Sequence, residues 1–202
     1  MKYRGYIFPS TGLATTRKVL PMIHPAASLR GQYALRHLIA ADLKKAKAES
    51  GSPELLRPQR QIICEFGSVE EVLEWLTYYE QQPLVSFDVE VTNFELACIG
   101  FSSTPDVACS IPLDRRWTEL DELQIYRGLQ RVLGNPKSVK IAYNGIFDMH
   151  FLLTHCGLEV RGPLQDTMIA HHIMYPDLPA TLKPKSLAFL VSVYGGSQAY
   201  YK

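Results

Sequence analysis

Apolar positions along this chain change period several times, and each change predicts an element. From Leu84 to Glu90 the run Leu-Val-Ser-Phe-Asp-Val-Glu alternates with the two-residue period of a strand. Val85, Phe87 and Val89 then share one face, and Leu84, Ser86, Asp88 and Glu90 share the other. Further strands are predicted at Gln61 to Phe66, Glu95 to Ser102, Val107 to Ile111 and Val139 to Tyr143. Helical spacing follows Ser68-Val-Glu-Glu71, which reads as a capping box, and runs from Thr118 through Leu133 to a stop at Gly134-Asn-Pro136. Helices are also predicted near Phe147 to His155, Thr167 to Met174 and Ser186 to Tyr194. His171 and His172 fall on the second of these, whose apolar side is expected to include Ile169 and Ile173.

The amino-terminal part predicts strands at Tyr3 to Phe8 and Lys18 to Ile23, a polar turn at Ser10 to Thr16, and a helix from Leu29 to Lys47. That helix carries Lys44, Lys45 and Lys47 in its last turn, where cations suit the dipole. Glu49 to Arg60 then breaks periodicity with two prolines and a glycine. The expected organisation is a small α/β fragment at residues 1–50, a linker at 51–60 and a domain at 61–202. Beyond the linker the elements lack regular β-α alternation. They suit an α/β fold with a mixed sheet, an antiparallel meander plus a parallel strand, flanked by helices.

With 202 residues, 47% hydrophobic and 20% charged, the composition excludes disorder, collagen and coiled coil. The formal net charge is only +1, but residues 1–60 hold eleven basic and three acidic side chains, and residues 61–202 hold ten and seventeen. Two regions with different electrostatic roles are implied. The four cysteines form no C-x-x-C pair, which argues against a disulfide framework or zinc site and fits a reducing, cytoplasmic compartment. No apolar stretch approaches the length of a membrane span, so a soluble, unprocessed protein is expected.

Asp88 and Glu90 are the first candidate site. Two carboxylates about 7 Å apart on one strand face repel each other and resist desolvation unless a cation neutralises them. A divalent metal meets that need, and so does a solvated face on an edge strand. Tyr143 to His150 supplies a second acid, with Asn144 and Asp148 four residues apart and able to share a helix face. Taken alone, Asn144 reads equally as a cap and Asp148 as an acid complementing the helix dipole. The two motifs together favour a functional site.

Residues from about 61 to 202 resemble the 3′–5′ exonuclease domain of family-A DNA polymerases, within the ribonuclease-H-like superfamily that uses four carboxylates. Phe87-Asp-Val-Glu90 resembles its first motif and Asn144-Gly-Ile-Phe-Asp148 its second. Leu164-Gln-Asp-Thr-Met-Ile-Ala-His-His172 is similar to a helix start in which Asp166 is chiefly a cap. The resemblance implies hydrolysis at single-stranded DNA 3′ ends by two Mg²⁺ or Mn²⁺ ions held by Asp88, Glu90 and Asp148. Asn144, Phe147 and Phe94 would meet the terminal nucleotide, although Phe147 also fits the core. A polymerase domain in the same or a neighbouring chain is the implied partner, with proofreading during replication as the role.

The family's third motif, Tyr-x-x-x-Asp, is not found before the chain ends at Ala199-Tyr-Tyr-Lys202, which leaves three of its four carboxylates. A binding module that kept the fold without turnover is therefore the alternative. His24-Pro25 after an apolar strand resembles the His-Pro motif of the uracil-DNA glycosylase superfamily, and a glycosylase remnant is the third reading. Finally, Arg30, Arg36, His37, Lys44, Lys45 and Lys47 are expected either to track phosphates or to form a solvated helix face.

Overall fold

The computed structural model describes residues 3–10, 12, 17–55, 59–114 and 116–195. Contacts divide the chain into two compact units, Gln59–Thr167 and Met1–Pro58 with Met168–Lys202.

In the unit Gln59–Thr167 the strands are β3 (Gln61–Ile63), β4 (Leu84–Thr92), β5 (Glu95–Ser102), β6 (Val107–Pro112), β7 (Val139–Ala142) and β8 (Leu164–Asp166). Among the described residues they form one mixed sheet in the order β3-β6-β5-β4-β7-β8. β4, β5 and β6 make the antiparallel meander, while β3 runs parallel to β6 and β7 lies parallel to both β4 and β8. Alternation on β4 holds, with Val85, Phe87 and Val89 at 1%, 4% and 6% exposure. These residues pack with Ile99, Phe101 and Ile111 of the neighbouring strands and with helices α3 (Val69–Glu80), α4 (Glu119–Gly134) and α5 (Ile146–Cys156).

Thr118 and Asp121 close a full capping box at the start of α4. At α3 neither bond of the expected box is made. The Ser68 side chain makes no cap bond, and Glu71 reaches past it to accept from the Gly67 N–H at 2.8 Å. β8, three residues long, carries too little alternation to be announced by its sequence.

In the unit Met1–Pro58 with Met168–Lys202, the two expected strands shrink to β1 (Phe8–Pro9) and β2 (Lys18–Val19), paired antiparallel. Pro21 cannot extend the ladder with an N–H, and its carbonyl instead accepts from Gly5 in a turn. The expected turn at Ser10 to Thr16 falls mostly outside the described residues. In place of one helix over Leu29–Lys47 stand α1 (Ala26–Leu29), a 3₁₀ turn (Tyr33–Leu35) and α2 (Arg36–Glu49), because Gly31 takes φ +89° and breaks the run. Leu29 and Tyr33, four residues apart in the expected helix, are 83% and 64% exposed.

Lys45 is not a surface cation. Its ammonium is buried against the carbonyls of Gly5 and Ser192, both at 2.7 Å, and burial holds its pKa down. Beside it Asp42 is bridged to Arg4 at 2.7 Å, and Arg4 also donates to Ser192 Oγ.

Helices α6 (Thr167–Met174) and α7 (Leu187–Tyr194) follow the expected spans, but the expected inner face of α6 is reversed. Ile169 and Ile173 are exposed, and His171 is buried among Tyr175, Phe189 and Tyr194. Its Nδ1 lies 2.9 Å from the Tyr194 hydroxyl, and its Nε2 has no partner among the described residues. Burial lowers the His171 pKa, so the unfolded chain takes up a proton below about pH 6.5 that the folded chain resists. This contribution to stability is complete above that pH and is lost on acidification. His171→Phe is expected to flatten the fall in melting temperature between about pH 7 and about pH 5. An unchanged slope would count against this assignment.

Candidate active site

Three parallel strands bring the candidate residues to one edge of the sheet. β4, β7 and β8 point the same way, so their carboxyl ends lie together, at the place where α/β sheets commonly bind ligands. β7 pairs with β4 only as far as Ser86↔Ile141. Beyond that point the N–H of Val89 is met by Asp148, whose Oδ1 accepts it at 3.0 Å from the first turn of α5. Asp148 therefore docks on the β4 backbone at the residue between Asp88 and Glu90. This convergence joins residues 59 positions apart in sequence.

The junction that aims α5 is tight. Asn144 adopts a left-handed φ of +55°, a conformation asparagine tolerates better than most residues, and Gly145 takes the N-cap position expected of Asn144. A Cβ on Gly145 would stand 2.5 Å from that of Ala142, so only glycine fits. The Gly145 N–H donates to Asp166 Oδ2 at 2.9 Å. Sequence reasoning gave Asp166 a role in its own helix. Its place at the end of β8 also makes it a brace for the second motif, and the signal for that was the Asp-Thr pair at a strand-to-helix change.

Charge is concentrated here. Partial burial raises the Asp88 carboxyl to about 6, with Asp148 and Glu90 adding repulsion. Asp148 is also raised, chiefly by burial, despite its bond from Val89, and Asp166 and Glu90 push in the same direction. All the donors are carboxylate oxygens, the set a hard divalent cation takes, and such a cation would relieve both raised acids. Among the described residues no three such side chains stand close enough to enclose an ion, so the acids share a field without forming a closed cage.

Two aromatic residues expected at the site are solvent-facing. Asn93 and Phe94 form the two-residue β4–β5 hairpin, both with positive φ (+52° and +64°), as a type I′ turn requires. Phe94 is 85% exposed in a conformation unfavourable for a bulky side chain. Phe147 is 56% exposed and stacks on Phe151, so it is not the core residue it also resembled. His24 is exposed, and its Nδ1 accepts from the Ala26 N–H at 3.1 Å, a local role at the start of α1.

A family model described as 3′–5′ exonuclease matches residues 67–201. DNA polymerase I of Synechocystis sp. is 29% identical over 134 residues, 62% of this chain and 13% of that protein. DNA polymerase I of Pseudomonas aeruginosa is 24% identical over 110 residues, covering 50% of this chain and 12% of that protein. The chain thus spans about an eighth of the length of these curated relatives. The crystal structure of Escherichia coli RNase D, an exoribonuclease involved in structured RNA processing, aligns with a TM-score of 0.50 at 19% identity, over 71% of this chain and 34% of that one. This likeness shows the fold, a ribonuclease-H-like mixed sheet flanked by helices. Among the described residues no helix is long and apolar enough to cross a membrane.

Proposed function

The chain belongs to the 3′–5′ exonuclease family, and from that premise we propose that Asp88, Glu90 and Asp148 bind two Mg²⁺ or Mn²⁺ ions and hydrolyse the terminal phosphodiester of a single-stranded DNA 3′ end. The observation that carries this reading is the docking of Asp148 on Val89, between the two acids of β4. Divalent ions held there would supply a water of lowered pKa and would neutralise charge on the leaving 3′ oxygen. The chain's own residues position the parts. Asp88, raised by burial and by its acidic neighbours, offers a carboxylate that would be fully ionised beside a bound cation. Asp166 holds the Gly145 junction and so the angle of α5. Asn144 offers an amide to the terminal nucleotide, and Phe147 and Phe94 offer ring faces to unstacked bases.

On the same reading the chain proofreads in the cytoplasm beside a polymerase domain of the same or a neighbouring chain, and the relatives named DNA polymerase I support that choice of partner. On this reading 61–202 is one exonuclease domain, 51–60 a linker and 1–50 a glycosylase-like fragment. The test of the main reading is a 5′-labelled single strand incubated with Mg²⁺ or Mn²⁺. Progressive shortening from the 3′ end, stopped by EDTA, is expected. Salt-sensitive binding without shortening would replace the nuclease reading with that of a binding module. Uracil release without metal, dependent on His24, would restore the glycosylase reading.

Phe94→Gly separates stacking from stability. Relief of the left-handed phenylalanine should stabilise the protein by about 1 kcal/mol. Loss of the ring should weaken 3′-end binding roughly tenfold. A variant that melts lower and binds equally well would show that Phe94 serves the fold alone.

A further inference from the structure

We propose that the outward arc of α2 and the cavity at its amino end form a second binding surface for single-stranded nucleic acid, in addition to the carboxylate cluster. Leu38, Ile39, Asp42 and Lys45 turn inward. At 3.6 residues per turn this leaves Arg36, His37, Lys44 and Lys47 on one exposed arc about 100° wide. No acidic side chain shares that arc. Both acids of the helix are neutralised elsewhere, Asp42 by Arg4 and Glu49 by Lys18, each at 2.7 Å. Neither acid of the helix offsets the positive charge of the arc, and from Arg36 to Lys47 it runs about 16 Å, the length of a few phosphates.

Aromatic surface adjoins the charge. A cavity of about 290 Å³ is lined by Tyr33, Arg36, His37, Tyr175 and Asp177. The His37 and Tyr175 rings lie 5.3 Å apart at 51°, and Tyr33 is 64% exposed at the rim. Rings beside a cation suit a splayed base next to its phosphate, and the Asp177 carboxylate can accept from an exocyclic amine. An anionic membrane is the less suitable partner. A helix lying in a bilayer interface inserts its bulky apolar residues, and those of α2 are mostly turned inward, with Leu43 exposed at the edge of the arc.

The test needs no catalysis, so it stands apart from the nuclease reading. Binding of a fluorescein-labelled single-stranded oligonucleotide to the full chain is measured by anisotropy in EDTA across a series of KCl concentrations. The triple variant R36Q/K44Q/K47Q is expected to bind at least about tenfold more weakly, with a log–log salt slope reduced by about 2. Tyr33→Ala should weaken binding about tenfold and leave the slope unchanged. Parent-like affinity and slope in the triple variant, folded by circular dichroism, would overturn the proposal. Binding of phosphatidylserine vesicles in place of the oligonucleotide would also overturn it. If the triple variant fails to fold, Tyr33→Ala decides, and unchanged binding there refutes the site.

Discussion

Asp88→Ala is expected to slow metal-dependent release of 3′ nucleotides by at least about a hundredfold, while leaving the protein as stable as the parent or more so. Both halves follow from its position. Asp88 adjoins Val89, whose N–H donates to Asp148, and burial together with the charges of Asp148 and Glu90 raises its carboxyl to about 6. A side chain held against repulsion costs stability without metal and is useful only when a cation joins the group. Removing it discards a metal donor and one source of strain at once. Shortening of a 5′-labelled strand and a thermal melt in EDTA measure the two effects. Asp88→Asn, which keeps the shape without the charge, should behave like the alanine variant in both. Parent-like cleavage would remove Asp88 from the reaction, and a melting temperature lowered as by a core truncation would make it structural.

Lys140→Met should give the largest loss of stability among single substitutions outside the hydrophobic core. Lys140 sits in β7 at 1% exposure, and its ammonium donates to three backbone carbonyls, those of Asn135, Ser138 and Arg161. Desolvation holds its pKa below that of an ordinary lysine, but the three acceptors keep the charge satisfied. Methionine matches the length and removes every donor. Buried carbonyls left without partners cost about 1–3 kcal/mol each, and local relaxation brings the expected total to about 3 kcal/mol. For a chain of this size that is a fall in melting temperature of roughly 6–12 °C. Lys137→Met, at an exposed position close by, is the control and should melt like the parent. Equal melting temperatures for the two variants would show that the carbonyl cluster is satisfied by solvent.

Most of the sheet was legible because its information is local. The period of two from Leu84 to Glu90 identifies which β4 residues are buried, and Thr118 with Asp121 marks where α4 begins. The acids at 88, 90 and 148 were legible as types and spacings, and the family match spans those stretches. β8 was missed, since three residues hold too little pattern. The helix expected over Leu29–Lys47 failed at Gly31, where a left-handed residue outweighed a plausible apolar spacing.

Strand faces, helix starts and the presence of three acids in recognisable motifs were thus determined by the sequence alone, because each depends on neighbours a few residues away. Partners distant in the chain decided the rest. Asp148 reaches Val89 because β7 stops pairing at Ser86, and Asp166 braces Gly145 because β8 ends beside it. Lys45 reads as a helix-face cation until the carbonyls of Gly5 and Ser192 enclose it, and Lys140 is buried in a strand where the Arg161 carbonyl from a distant segment helps to hold its ammonium. His171 displaces Ile169 and Ile173 from the interior of its unit because an aromatic cage with a hydroxyl partner can bury an imidazole. Burial of a polar group is settled by whether a partner arrives, and only the tertiary structure brings the partner.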